Sequence, residues 1–178
     1  VNCGLPASGK DNWRQIARAT AAHSTVTFND TSCCEFLDGS AWRRVYGTPI
    51  TGGPRRVAVT REEQERGGML VRTSHDGYAG RFSVIHHRIL LLSGDGNTLE
   101  GEELFLPADQ EMLPANALDE FAVRFHLHPA VRANRLTDGH TAVLILPNKE
   151  VWNFDSHEDR VEIEESVYLA GLDGPRRT

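Results

Sequence analysis

Short segments in which apolar and polar residues alternate run through almost all of this chain, and they constrain its fold more than any other feature. Glycine, proline, asparagine and aspartate separate these segments at short intervals. A side-chain period of two is that of a β-strand with one buried face, and frequent turn residues are typical of antiparallel sheets. The pattern predicts a mainly β fold, an antiparallel two-sheet β-sandwich with at most one or two short helices.

One segment, residues 13–22, is the only plausible helix, and Asp76-Gly77 resembles a tight turn between two strands. In residues 120–128 the period of two places Arg124, His126 and His128 on one face. The opposite face, expected to be buried, carries Phe121, Val123, Phe125 and Leu127. Strands are predicted at 24–29, 56–60, 69–74, 81–93, 98–106, 120–128, 140–146, 150–154 and 161–170.

Length and charge limit the kind of protein this can be. The 178 residues suit a single β-sandwich domain covering 1–178, and the formal net charge of -6 argues against a broad nucleic-acid-binding face. No apolar run approaches the roughly 20 residues of a transmembrane helix. Since the chain begins at Val1 rather than at methionine, we expect it to be the C-terminal part of a longer protein.

Histidines at alternate positions are the first candidates for chemistry. In a strand, His126 and His128 would lie on one face and could share a metal ion if a third ligand came from another strand. Alternatively, with Arg124, they could hydrogen-bond the hydroxyls and carboxylates of a sugar, or simply form the polar face of a surface strand. The three cysteines, Cys3, Cys33 and Cys34, include no Cys-x-x-Cys spacing, so a zinc-thiolate site is not indicated.

Two motifs resemble the heparinase II/III-like polysaccharide lyases. Residues 18–26 read RATAAHSTV, which is similar to that family's Arg-x-Thr-x-x-His-(Asn/Ser)-Thr-Val segment. Residues 75–78 read HDGY and are followed by His86 or His87 and by Arg88, as in the same family. The segment 164–171 also looks like the closing strand of these enzymes. The resemblance therefore covers nearly the whole chain, and its specificity lies in the combination of motifs.

The resemblance implies a function and a set of site residues. These enzymes cleave uronic-acid polysaccharides by β-elimination, with a helical toroid joined to a β region, and the chain would belong to that β region. The catalytic residues would lie upstream, so none is expected in this chain. The candidates for substrate binding are His75, Tyr78, Arg88, Arg124, His126 and His128.

Cofactor, partners and location follow from the same resemblance. No cofactor is required, although a structural zinc or calcium ion could bind weakly near His23. His23 is expected close to Arg18 and Asn2, and Asn2 stands where relatives carry an acidic ligand. The expected partners are a heparan-like or alginate-like acidic polysaccharide and an N-terminal helical domain, in the cell envelope or periplasm.

Two other functions remain open at this stage. The chain could be a non-catalytic carbohydrate-binding or interaction module that shares the architecture, because a fold does not establish a function. It could also be a small metal-dependent β-barrel enzyme built around His126 and His128. Aromatic residues on an exposed strand face would favour the first, and a third ligand converging on the two histidines would favour the second.

Overall fold

The structure is a computed structural model, and it describes residues 2–4, 11–37, 47–108, 120–169 and 176–177. The chain divides into two compact units, Thr27–Ala122 and the combination of Val1–Val26 with Val123–Thr178. We call these the inner unit and the outer unit, for their order along the chain. The expectation of a single domain over 1–178 stays a prediction.

Antiparallel strands dominate both units. The two α-helices of the described residues are short, α1 at Asp11–Arg18 and α2 at Ala79–Phe82, and 3-10 turns occupy Thr20–Ala22 and Glu65–Gly67. The mainly β, antiparallel fold predicted from the period of two is therefore confirmed. The strands are β1 Val26–Phe28, β2 Glu35–Phe36, β3 Ile50–Gly52, β4 Val57–Glu63, β5 Met69–Tyr78, β6 Val84–Leu92, β7 Leu99–Pro107, β8 Phe121–Val123, β9 Arg132–Arg135, β10 Thr141–Ile145, β11 Val151–Asp155, β12 Val167–Tyr168 and β13 Arg176–Arg177.

The inner unit is built on a four-stranded sheet in the order β4-β5-β6-β7. Its strand β6 lies between β5 and β7 and is apolar on both faces apart from His86, His87 and Arg88. Tyr78 at the end of β5, Val84 at the start of β6 and Phe28 of β1 are 0 to 1% exposed. The Phe28 ring meets those of Tyr78 and Phe105 edge to face, at centroid distances of 4.6 and 4.9 Å. This aromatic cluster anchors the sheet next to the site described below.

The predicted turn at Asp76-Gly77 is wrong, because β5 continues through Tyr78 and the chain reverses in α2 instead. Asp76 Oδ1 accepts hydrogen bonds from the backbone N–H groups of Arg55 and Arg56, at 2.7 and 2.9 Å. These bonds hold residue 76 alongside the start of β4, and the pairing with β6 is interrupted between His75 and Tyr78. Asp76-Gly77 is thus an irregularity within a strand.

The outer unit contains a three-stranded sheet in the order β11-β10-β9 and the pair β12-β13. Its small core comprises Cys3, Ala17, Ala22 and Leu169, with Trp13 and Val167 packed against it. The backbone N–H of Cys3 donates to the carbonyl of Ala22 at 3.3 Å. Residues 2–4 therefore lie beside the 3-10 turn that precedes His23.

The predicted strand 120–128 is corrected in both length and burial. Strand β8 ends at Val123, where Arg124 N–H donates to the carbonyl of Thr25 and His126 N–H donates to Ser24 Oγ. The expected burial of the apolar face is wrong for Phe121 and Phe125, which are 46 and 53% exposed. Val123 and Leu127 are half-buried rather than buried. Because His126 N–H bonds the Ser24 side chain instead of a strand carbonyl, the strand pairing stops here. The apolar and polar residues that alternate from 124 onwards therefore do not lie on opposite faces of a sheet.

None of the described helices is long and apolar enough to cross a bilayer. Strands β2, β3, β9 and β13 have no counterpart among the predicted strands, because they are short and rich in polar residues or glycine.

Candidate functional site

Four ionisable side chains lie together on one face of the inner unit's sheet. The pairing register sets His75 of β5 opposite His86 of β6, and Arg88 of β6 opposite Glu103 of β7. Because side chains two apart in a strand share a face, His86 and Arg88 point to the same side. Opposite residues in neighbouring strands have adjacent side chains, so the four groups can bond in sequence.

The bonds form a continuous chain, which we call the His-Glu-Arg relay and define as His75, His86, Glu103 and Arg88. His75 Nε2 lies 3.1 Å from His86 Nδ1, and His86 Nε2 lies 2.6 Å from Glu103 Oε2. The other carboxylate oxygen, Oε1, accepts from Arg88 Nε at 2.6 Å. The His86 side chain is 4% exposed and those of Glu103 and Arg88 are 16 and 17% exposed. The relay is therefore shielded from water along most of its length.

The partners at the two ends determine where the protons lie. Gly77 N–H donates to His75 Nδ1 at 3.1 Å, so neutral His75 carries its proton on Nε2. That proton is donated to His86 Nδ1, which leaves the His86 proton on Nε2, facing the carboxylate. Each ring of the relay is thereby held in one tautomer, and the direction of every bond is set.

Burial keeps His75 neutral. It lowers the pKa of His75 from 6.5 to about 4, and the positive charges that His86 and Arg88 can carry add to the effect against a partial offset from Asp76. Asp76 shifts in the same direction, because the backbone N–H of Arg56 above all holds the pKa of its carboxyl below the usual range. The HDGY segment thus presents a neutral imidazole next to a stabilised carboxylate.

Tyr78 differs from its neighbours in the motif because it is a core residue. It is 1% exposed, and its ring packs against Phe28 and lies 6.1 Å from that of Phe82. Its hydroxyl faces the carbonyl of Thr31 at 3.5 Å. A side chain this deeply buried is not placed to contact a substrate.

The other candidates lie in the outer unit and do not converge on one point. Arg124 faces Glu164 at 3.5 Å, while His126 Nε2 donates to the carbonyl of Ala21 at 2.8 Å. His126 Nδ1 lies 3.2 Å from Ser166 Oγ, so both ring nitrogens of His126 have protein partners. His128 is exposed, accepts a bond from Ala130 N–H and lies edge to face on the Tyr168 ring.

The described residues include no group of three histidine, cysteine, aspartate or glutamate side chains placed to hold a metal ion. His126 and His128 therefore have no third ligand in that part of the chain, and the described sheets form no closed barrel. At the cation position predicted near His23, the two expected ligands are the His23 imidazole and the Asn2 amide. Asn2 is exposed. An amide is a weaker ligand than a carboxylate, so these residues do not fit a tightly bound structural ion.

Glu103 is the residue that the sequence reasoning missed. It stands in the run 99–107, where its neighbours at 104–106 are apolar. One signal could have identified it. Glu103 is a carboxylate next to apolar residues, in the predicted strand that follows the one with His86 and Arg88. Recognising it required the strand pairing, since Glu103 belongs to neither of the two motifs.

Comparison with known proteins identifies the family. The family model described as heparinase II/III-like, C-terminal, matches residues 1–178. This chain belongs to that family. Among curated proteins, the FtsZ-localized protein C of Caulobacter vibrioides is 29% identical over 161 residues, which covers 85% of this chain. The chain spans 28% of the length of that relative. No solved structure matches the chain.

Proposed function

We propose that this chain is the β-region of a heparinase II/III-like polysaccharide lyase, which cleaves uronic-acid-containing polysaccharides by β-elimination. The observation that supports this most is the match of the C-terminal family model to residues 1–178. The lyase activity of the whole protein would need catalytic groups that lie outside this chain. We accordingly propose a supporting role for this chain, in which it forms part of the wall of the substrate cleft.

The chemistry of β-elimination explains why the role would be supporting. The reaction needs a group that neutralises the C5 carboxylate of the uronate, a base that removes the C5 proton and an acid that protonates the leaving oxygen. The relay holds His75 on His86 and Arg88 on Glu103, and His126 is held by Ala21 and Ser166. Both ring nitrogens of His75 and of His126 are already bonded to protein groups, so neither can exchange a proton with a ligand without first losing one of these bonds.

Two outer-unit residues are better placed to touch the polysaccharide directly. Arg124 faces a carboxylate whose side chain is 66% exposed, and such an ion pair exchanges easily with a uronate carboxylate. The exposed His128 can donate or accept a hydrogen bond with a sugar hydroxyl. With a net charge of -6, a polyanion would have to meet local cationic groups of this kind rather than an overall positive field.

The remaining parts of the proposal follow from the same family relationship. The upstream partner would be a helical domain, the substrate a heparan-like or alginate-like polymer, and the location the cell envelope or periplasm. A weak structural cation near His23 remains part of the proposal. No step of the chemistry is assigned to it.

The experiment compares the 178-residue chain with the full-length protein on heparan sulfate and alginate. The absorbance of the unsaturated uronate product is measured in the ultraviolet. We expect product from the full-length protein and none from the chain alone, because each acid-base group contributes about 10²- to 10⁴-fold and several would be missing. Robust product from the chain alone would assign catalytic roles to its own histidines. A full-length protein that is inactive on every uronate polymer would refute the proposed lyase activity.

A second function is favoured by the curated relative. Its printed name, FtsZ-localized protein C, describes a localisation and not a reaction. We therefore keep the alternative that the chain is a non-catalytic carbohydrate-binding or interaction module. A full-length protein that forms no elimination product but is retained on a polysaccharide column, or sediments with FtsZ polymers, would support this alternative.

A further inference from the structure

Strand β4 lies at an edge of the inner unit's sheet, and its outer side is open. In the sheet order β4-β5-β6-β7, strand β5 is the one neighbour of β4 among the described strands. Every residue of Val57–Glu63 is exposed, and Val57 and Val59 are 65 and 66% exposed. A long edge with exposed β-branched residues is a template for a further strand.

The pairing with β5 determines which backbone groups of β4 point outwards. In an antiparallel pair, residues that bond the neighbouring strand alternate with residues whose N–H and C=O groups face away from it. Asp76 N–H donates to the carbonyl of Arg56 at 3.2 Å, and Gln64 N–H donates to the carbonyl of Gly68 at 2.8 Å. The even-numbered residues of β4 therefore bond β5. The residues whose N–H and C=O groups face the open side are Val57, Val59, Arg61 and Glu63.

The charges around β4 make this edge complementary to a second copy of itself. Arg55 and Arg56 precede the strand and Glu62 and Glu63 end it, and all four are exposed. When a second copy lies antiparallel with Val59 opposite Val59, each Arg56 faces a Glu62 and each Arg55 faces a Glu63. Opposite charges directly across an antiparallel pair are stabilising, so both ends of this pairing attract.

The neighbouring registers lack this complementarity. They differ by two residues, because a slip by one residue would turn every side chain to the other face. Centring the pair on Thr60 sets both glutamates opposite apolar residues. Centring it on Ala58 sets Arg55 opposite Arg61, which are like charges. The charges of this edge therefore favour one register with a second copy.

We propose that the chain forms a symmetric dimer in which β4 pairs antiparallel with β4 of a second copy. Val59 lies opposite its own counterpart, and Val57 lies opposite Arg61 of the second copy. The outward N–H and C=O groups of these residues add about six backbone hydrogen bonds and join two four-stranded sheets into one. Val57 pairs with His75 of β5, so the relay ends one strand away from the interface. The dimer does not depend on the lyase assignment.

Sedimentation equilibrium of the purified 178-residue chain over a range of protein concentrations tests the proposal. We expect a species of twice the 19.8 kDa mass of the chain. Its dissociation constant should rise with added salt, because the charged pairs at both ends are exposed. A chain that stays monomeric up to its solubility limit, or that assembles without passing through a dimer, would refute the proposal.

The variant Val59→Pro tests whether β4 is the interface. Proline is tolerated in an edge strand where the N–H faces away from the sheet, so the bonds to β5 should remain. The dissociation constant should rise at least about thirtyfold, because each copy loses a hydrogen bond at the centre of the interface. Val59→Thr keeps the N–H and a β-branched side chain, and should dimerise nearly as well as the unmodified chain. An unchanged dissociation constant in Val59→Pro that is folded by circular dichroism would overturn the proposal.

Two charge-reversed variants test the register. Arg55→Glu with Arg56→Glu, and Glu62→Arg with Glu63→Arg, each set like charges opposite one another and should each weaken the dimer about tenfold or more. An equimolar mixture of the two variants should form a heterodimer, because every charged pair between them is again opposite in sign. Arg56 and Glu62 also pair with Asp76 and Arg72 within the chain, so circular dichroism is used to establish that both variants are folded. Folded variants that dimerise like the unmodified chain, or that do not combine when mixed, would overturn the proposed register.

Discussion

The two units contain the same pair of residue types at the same spacing, with opposite outcomes. In the inner unit, His86 and Arg88 both lie on strand β6 and both bond the single carboxylate of Glu103. In the outer unit, Arg124 and His126 lie beyond the end of strand β8 and have separate partners. Arg124 faces Glu164, while His126 is held by a backbone carbonyl and a serine hydroxyl.

This difference teaches that the backbone decides what a His/Arg pair can do. On a regular strand, residues two apart share a face, so an acceptor on the neighbouring strand can serve both. Once the ladder ends, the same spacing no longer directs the side chains together. The inner pair is therefore coupled electrostatically to one half-buried acid, whereas the two residues of the outer pair form independent bonds.

The largest effect should come from removing the shared carboxylate. Glu103→Ala removes the carboxylate that the half-buried Arg88 and the buried His86 share, which should cost about 2 to 4 kcal/mol of unfolding free energy. Urea denaturation followed by circular dichroism measures this cost. Glu103→Gln, which keeps an acceptor oxygen, is the matched control and should lose less. A cost below about 1 kcal/mol for Glu103→Ala would show that the relay is not a coupled unit.

The relay should also make stability depend on pH in a defined window. The folded pKa of His75, about 4, lies below its unfolded value of 6.5, so only the unfolded state takes up the proton between these values. Stability contributed by neutral His75 is therefore fully present above pH 6.5 and falls as the pH drops to about 4, by about 2 to 3 kcal/mol.

The measurement is the urea midpoint as a function of pH for the unmodified protein and for His75→Gln. The variant lacks the titrating group and should show a flatter profile between pH 6.5 and 4. Identical slopes in the two proteins would mean that His75 is not held neutral by its surroundings.

The outer pair should respond more weakly, because its bonds are independent. His126→Ala removes the bonds to Ala21 and Ser166 and should cost about 1 to 2 kcal/mol. Ser166→Ala, which removes only the second of these bonds, should cost about half as much. Thermal unfolding of the two variants gives the comparison, with exposed His128→Ala as a control. A His126→Ala cost equal to that of Glu103→Ala would break the contrast between the pairs.

The smallest effect is expected at the other member of the outer pair. Glu164→Ala removes an ion pair whose acid is 66% exposed, and such pairs contribute about 0 to 1 kcal/mol. The loss should shrink further as salt is added, because exposed charges are screened. A salt-independent loss larger than about 2 kcal/mol would show that Arg124 depends on Glu164 as Arg88 depends on Glu103.

Much of the inner unit's sheet could be predicted from local pattern. The predicted segments 69–74, 81–93 and 98–106 overlap β5, β6 and β7, because long runs with a strong β pattern keep their identity in the fold. The need for His86 and Arg88 to find partners also follows from their place in an apolar strand. The partner itself could not be predicted, since Glu103 is joined to them only through the strand register.

The errors lie where local pattern and long-range bonding disagree. The alternation in 120–128 continues past Val123, but Ser24 takes the next backbone bond and ends the strand. At Asp76-Gly77 the composition is typical of a turn, but the backbone amides of the two residues just before β4 hold the Asp76 carboxylate beside that strand. In both places the deciding bond comes from a residue remote in the chain.

The sequence by itself determined that this protein is a mainly β chain of the heparinase II/III-like family, because a period of two and its short motifs are properties of neighbouring residues. Only the tertiary structure decided which strands pair, that Glu103 joins His86 to Arg88, and that β4 lies at an edge of its sheet. Register and strand order depend on contacts between residues far apart in the chain, and these contacts carry no local pattern.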